Sequence, residues 1–163
     1  MKISIFYHSV SGNTKQCAEY IAEGANSVDG VEAKVFDIHA PDTNFAKESS
    51  CIILGSPTYM GSMSAEIYTW LEKSMREFSP AGKLAGAFAT ERYIHGGGDV
   101  AIQGILSHML VSGMLPYSGG GAFGAPVIHY GPVGLAEDIQ GCRDTFITYG
   151  RRMAEKASEL FTR

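Results

Sequence analysis

Three short segments hold the residues best suited to chemistry. The first, Ser9-Val10-Ser11-Gly12-Asn13-Thr14, gathers three hydroxyls and an amide around one glycine. It follows an apolar run and precedes a helical pattern. The first turn of a helix offers free N–H groups and the positive end of the dipole, so it attracts anions. Hydroxyls and an amide can complete the coordination of a phosphate monoester without a cation, and Gly12 lets the backbone approach closely. The same residues also suit an ordinary helix start capped by Ser11 or Asn13. The second segment, Pro57-Thr58-Tyr59-Met60-Gly61, sets an aromatic and a flexible apolar side chain between Pro and Gly. Such a loop can lie flat against a planar ring, with backbone amides in reach of ring heteroatoms. A plain turn with an exposed Tyr is the alternative. The third, Thr90-Glu91-Arg92-Tyr93-Ile94-His95-Gly96, runs into two further glycines. Arg92 and His95 can neutralise a negative ring and Tyr93 can stack on it; the alternative is a mobile glycine loop.

The elements that must position these loops are legible from periodicity. Lys2–Tyr7 reads as a strand, followed by a helix with Cys17, Ala18, Ile21, Ala22 and Ala25 on one face. Val31–Ile38 is a second strand and Pro41 to Ser49 a polar connection. Cys51–Gly55 is wholly apolar, the mark of a strand buried on both faces. Ser64 suits the cap of a helix with Ile67, Trp70, Leu71 and Phe78 inward. Leu84–Ala89 is a fourth strand, and Asp99 suits the cap of the helix that follows. Met114–Tyr117 is expected as a short fifth strand, with Val127–Tyr130 a further candidate. A last helix is expected from about Ala136. Strands alternating with helices predict an α/β fold, a doubly wound parallel sheet with helices on both faces. Ligands in such sheets bind beyond the carboxyl ends of the strands, and all three loops fall there.

Composition narrows the function classes. The chain has 163 residues, 13 basic against 17 acidic, and a formal charge of −4. That length suits one domain, 1–163, with a full core. No basic run tracks a phosphate backbone, so no nucleic-acid partner is expected. No apolar stretch reaches membrane-spanning length and no leader is evident, which reads as cytoplasmic with no membrane partner. Cys17, Cys51 and Cys142 form no Cys-x-x-Cys pair, so reduced core thiols are expected and no metal site. The five histidines include no His-Glu-x-x-His, and neither a Gly-x-Ser-x-Gly elbow nor a Walker loop occurs. Gly-x-Gly-x-x-Gly appears literally at Gly119–Gly124, but Pro126 follows and no helix opens there. Asp37, which ends the second strand, reads as a turn residue. His108 reads as a packing or surface residue, and Trp70 and Met109 as core.

Taken together, the three loops resemble those of the flavodoxin-like FMN-binding family. Ser9-x-Ser11-Gly12-Asn13-Thr14 resembles its phosphate loop. Gly55-Ser56-Pro57-Thr58-Tyr59-Met60-Gly61-Ser62-Met63 resembles its second flavin loop, and Phe88 through His95-Gly96-Gly97 its third. The likeness is greatest to the branch of WrbA-type NAD(P)H:quinone oxidoreductases, and it covers almost the whole chain. Two features depart from that branch: Tyr59-Met60 stands where those proteins carry Arg-Phe, and the stretch after Tyr117 is shorter. The resemblance implies a five-stranded sheet in the order 2-1-3-4-5 and a non-covalent FMN. It implies that Ser9, Val10, Ser11, Gly12, Asn13 and Thr14 hold the phosphate. Pro57, Thr58, Tyr59, Met60 and Gly61 would border one side of the ring, and Thr90, Glu91, Arg92, Tyr93, His95 and Gly96 the pyrimidine side. The implied activity is a ping-pong transfer of two electrons from NAD(P)H to a quinone, with His95 or Arg92 stabilising the reduced ring. A flavodoxin-type electron carrier served by a redox partner protein is the alternative. A flavin-free receiver domain is disfavoured, since no acids follow the first strand. The family also suggests a homodimer or homotetramer.

Overall fold

The computed structural model describes residues 1–161. The elements in chain order are β1 (Lys2–Tyr7), α1 (Asn13–Asn26), β2 (Glu32–Asp37), α2 (Thr43–Glu48), β3 (Cys51–Tyr59), β4 (Ser62–Met63) and α3 (Ala65–Lys73). A 3-10 turn (Met75–Phe78) leads to β5 (Leu84–Glu91), α4 (Gly98–Val111), β6 (Leu115–Pro116), β7 (Val133–Leu135) and α5 (Arg143–Phe161). The parallel sheet runs β2-β1-β3-β5, and β6 and β7 share the fifth position. This is the 2-1-3-4-5 order of a doubly wound sheet. Only β4 is antiparallel, folded back on the end of β3.

Alternation along β1 explains the layering. Ile3, Ile5 and Tyr7 face one side with α1 and α5, where Phe88, Phe146, Tyr149 and Met153 complete the core. Phe6 faces the other side, packing against Trp70 and Phe78 with ring centroids 5.0 and 5.2 Å away. Ile102, Ile105 and Met109 of α4 close that layer. Trp70 and Met109 are thus core, as expected. On the first side α1 and α5 cross in intimate contact. A Cβ on Gly150 would lie 2.0 Å from the Ile21 carbonyl oxygen, and one on Gly24 1.9 Å from that of Ile147. Only two reciprocal glycines permit that approach.

Five expectations need correction. The expected fifth strand, Met114–Tyr117, is reduced to Leu115–Pro116, which pairs with Leu84–Ala85 alone. The N–H groups of Leu115 and Tyr117 bond the Lys83 and Ala85 carbonyls, and Pro116 between them leaves the open edge without a donor. Val127–Tyr130 is not a strand; instead Val133–Leu135 pairs with Ala89–Glu91. The last helix begins at Arg143 rather than near Ala136, because the Ala136 N–H bonds the Glu91 carbonyl at 2.8 Å. The polar connection Pro41–Ser49 contains α2, capped by the Asp42 carboxylate on the Phe45 N–H. Finally, the cap of α4 is Gly97 at φ 96°, and Asp99 lies inside the first turn. Ser64 caps α3 as expected, accepting from the Ile67 N–H. Asp37 ends β2 in a turn, accepting from the His39 N–H at 2.9 Å.

Candidate functional site

The carboxyl ends of β1, β3 and β5 open into one cavity of about 500 Å³, within the range of small-ligand sites. Val10, Ser11 and Asn13 line it from the first loop, and Pro57, Thr58 and Tyr59 from the second. Thr90, Glu91 and Arg92 line it from the third, and Ala136 and Glu137 from the segment after β7. Sequence reasoning missed Ala136 and Glu137. They follow the carboxyl end of a strand like the other three groups, but Val133–Leu135 is too short and glycine-interrupted to announce itself as one.

The first loop is shaped for an anion. Gly12 precedes α1 at φ 93°, and no side chain caps the helix. Ser11 and Asn13, the sequence candidates for that cap, therefore leave the first-turn N–H groups free. By contrast, α2 and α3 are each capped by their own side chains. Ser9 turns inward to the loop, its Oγ accepting from the Gly12 N–H at 3.1 Å. Thr14 is buried, its hydroxyl paired with that of Thr90 at 2.8 Å, which ties the first loop to the third.

The second loop is a tight hairpin. Tyr59 pairs with Ser62 across Met60 and Gly61, whose φ values of 50° and 74° are those of a type I′ turn. This puts Tyr59 at the cavity wall and leaves Met60 fully exposed at the rim. Thr58 lies beneath, with an Oγ1 that is buried without a hydrogen-bond partner. An unsatisfied buried hydroxyl costs stability, so this oxygen is a local strain beneath the hairpin.

The third loop is held by Glu91. Its Oε2 accepts from the Gly98 N–H at 2.8 Å, and the Gly96 N–H bonds the Tyr93 carbonyl at 2.7 Å. The second and third loops touch through glycines: a Cβ on Gly97 would lie 2.5 Å from the Gly61 carbonyl oxygen. Tyr93, Ile94 and His95 project to solvent on the outer side of this loop. Ser9, Gly12, Thr14, Met60, Gly61, Tyr93, His95 and Gly96 are thus near the cavity in sequence but are not among its lining residues. His108 plays no part, its Nδ1 lying 3.0 Å from the Gly104 carbonyl. Among the described residues no cluster of His, Cys, Asp or Glu is arranged for a metal, and all three cysteines are free. Among the described residues no helix is long and apolar enough to cross a membrane.

A doubly wound sheet whose switch-point cavity joins an uncapped helix N-terminus to a flat aromatic-bearing hairpin defines a mononucleotide-binding α/β protein. Comparison with known proteins narrows the class. Residues 4–88, more than half of the chain, match the model of the flavodoxin domain. A flavodoxin of Clostridium saccharobutylicum is 42% identical over 99% of this chain and 100% of its own length. The chain belongs to the flavodoxin family. An NAD(P)H dehydrogenase (quinone) of Aromatoleum aromaticum is 29% identical, covering 98% of this chain and 97% of that protein. The crystal structure of a flavodoxin, WrbA-like protein from Agrobacterium tumefaciens superposes with a TM-score of 0.81 at 26% identity, covering 97% of this chain and 98% of that one.

Family membership implies FMN as the cofactor. The residues fit it. The free N–H groups of α1 with Ser11 and Asn13 suit a phosphate, and the wall of the same cavity built by Pro57, Thr58 and Tyr59 suits a planar ring.

Proposed function

We propose that this protein is an FMN-dependent electron carrier that docks a redox partner protein over the mouth of its cavity. The observation that carries the reading is the rim. Val10, Met60, Tyr93 and Ile94, one or two from each of the three loops that build the cavity, are between 68% and 102% exposed. Large apolar side chains held in solvent around a site favour docking by another protein. The relative with the same overall length supports it, since the flavodoxin aligns over 161 positions and the quinone dehydrogenase over 202.

Bound FMN would supply the redox chemistry, and the chain supplies binding, orientation and electrostatics. The first turn of α1, with Ser11 and Asn13, would hold the phosphate. Pro57, Thr58 and Tyr59 would border the ring from the second loop and Thr90, Glu91 and Arg92 from the third. Glu91 and Glu137 outnumber Arg92 in the lining, which would disfavour added negative charge there.

A second reading, an NAD(P)H:quinone oxidoreductase, is favoured by the likeness to the WrbA-like structure. In that reading His95 of the third loop would serve the reduced ring, and the acceptor is a quinone. One anaerobic experiment separates the two. The FMN-loaded protein is mixed with NADH or NADPH and its visible absorbance followed. The carrier stays oxidised, and photoreduction then proceeds in two separable one-electron stages. Prompt bleaching reversed by a quinone, and slowed in His95→Ala, overturns the carrier in favour of the enzyme. Failure to retain FMN at all overturns both.

A further inference from the structure

His8 stands between Tyr7, the last residue of β1, and Ser9 of the first loop, and does not line the cavity. It is 8% exposed, and its Nε2 is buried without a hydrogen-bond partner. By alternation it shares a face of the sheet with Phe6, which packs against Trp70 and Phe78. An apolar side chain at that position would avoid the cost of an unpaired interior nitrogen. The Glu66 carboxylate of α3 lies 3.8 Å from Nε2, within range of ionic attraction but too far for a hydrogen bond. The Glu66 side chain is 48% exposed and has room to close that gap.

The neighbouring elements bring three other charged or titratable groups. His39, in the turn after β2, meets the His8 ring edge-on, with centroids 5.9 Å apart. Asp37 pairs in register with Tyr7 and accepts from the His39 N–H. Lys73 of α3 lines a second cavity together with His39, Glu66 and Trp70. β3 contributes only the Gly55 carbonyl, which accepts from the His8 N–H at 3.3 Å. Lys73 and a charged His39 repel a cation on His8, and Glu66 and Asp37 attract it. Of the two carboxylates only Glu66 is in ion-pair contact with His8.

The pair lies where the three loops lack a tie. The Thr14 and Thr90 hydroxyls join the first loop to the third, and the second meets the third at Gly61 and Gly97. Among the described residues no side-chain hydrogen bond joins the first loop to the second. His8 leads directly into the first loop. Glu66 follows Ser64, the cap of α3, whose N–H is held by the Ser56 Oγ at the base of the second loop. A bond between His8 and Glu66 therefore closes the set of loops from behind the cavity.

We propose that His8 is a positioning residue of the cofactor site that acts as a cation: protonated, it closes on Glu66 and ties the first loop to the second, so FMN is held more tightly as pH falls through the neutral range. Histidine is the side chain that changes charge there. The phosphate loop begins at the next residue, so the anion it takes attracts the same proton. Binding and protonation are reciprocal: bound FMN raises the proton occupancy of His8, and the proton raises FMN affinity by the same factor. The inference rests on the assignment of FMN to this site.

FMN titrations of the apoprotein between about pH 8 and about pH 6 test it, with NMR of the His8 imidazole as a second readout. The FMN phosphate itself takes up a proton at about pH 6, so the measure is the ratio of wild type to variant at each pH. Wild type gains roughly threefold or more in affinity over Glu66→Gln towards the acid end, and His8→Gln loses the same gain. A merely structural His8 would not make the pH profile depend on Glu66. In the unmodified protein at constant neutral pH, added FMN moves the His8 ring resonances towards those of the imidazolium. Parallel pH profiles in wild type and Glu66→Gln overturn the inference and leave the flavin assignment standing. So do His8 resonances that FMN does not move. Absence of FMN binding at every pH removes the assignment and the inference together.

Discussion

Replacing Gly97 by Ala tests whether the second and third loops form one wall. Gly97 has φ 96°, a conformation that costs an L-residue about 1–2 kcal/mol. That strain acts on the free and the bound protein alike. The second effect does not. The new Cβ would lie 2.5 Å from the Gly61 carbonyl oxygen and 2.7 Å from two Gly61 carbons, where ordinary contact begins near 3.4 Å. The loops must part by roughly 1 Å, and Gly61 ends the hairpin that carries Thr58 and Tyr59 into the cavity. Drawing them together around FMN again costs about 1–2 kcal/mol, a loss of about 5- to 30-fold in affinity. Titration of the apoprotein with FMN, read by quenching of flavin fluorescence, measures it. Gly82→Ala is the control: its φ is 80° but no atom lies near the added Cβ, so it loses stability and keeps its FMN affinity. Binding by Gly97→Ala within about twofold of wild type would refute the coupling of the two loops through this contact.

Three further outcomes are expected. Thr58→Val removes an unpaired buried oxygen, so the apoprotein gains up to about 1 kcal/mol. Thermal unfolding reads the change; a loss of stability would mean that the hydroxyl has a partner in the folded protein. Gly150→Ala drives a Cβ to 2.0 Å from the Ile21 carbonyl oxygen and forces α1 from α5, at a cost of about 3 kcal/mol or more. The melting temperature should fall by roughly 6–12 °C by circular dichroism, and an unshifted transition would show that the helices do not meet there. Burial pushes the Cys17 thiol up to about 12 and raises Cys51 as well, so at pH 8 a thiol reagent should label only the half-buried Cys142 until the protein unfolds. The stability that the two neutral thiols contribute is intact below pH 9, where the unfolded thiols begin to ionise, and is lost as pH rises towards 12. Rapid labelling of all three in the native state would contradict this burial.

The sheet order and the place of the site were legible in the sequence because both rest on local, repeated signals. Cys51–Leu54 is wholly apolar because β3 is covered on both faces, and Ser9–Thr14 is polar because it ends a strand and starts a helix. The three loops were therefore assignable to one edge before any contact was known. Long-range competition for hydrogen bonds was not legible. Ala136 looks helical by its neighbours, but its N–H goes to Glu91 across the sheet, and Glu137 reaches the cavity as a result. The fifth strand divides into Leu115–Pro116 and Val133–Leu135 because β5 supplies two separate stretches of free edge.

Within the site the same division holds. Residue types alone indicated the hydroxyl-rich phosphate loop and the aromatic of the second loop. Only the tertiary structure decided that Thr14 turns away to Thr90, that Thr58 carries the unpaired hydroxyl, and that His95 stands in solvent outside the lining. The sequence by itself determined the main strands and helices of the sheet and which loops meet, through periodicity and the chemistry of strand ends. The direction of side chains such as Thr14 depended on contacts between segments distant in the chain, here 76 residues apart, whose energies no local pattern records.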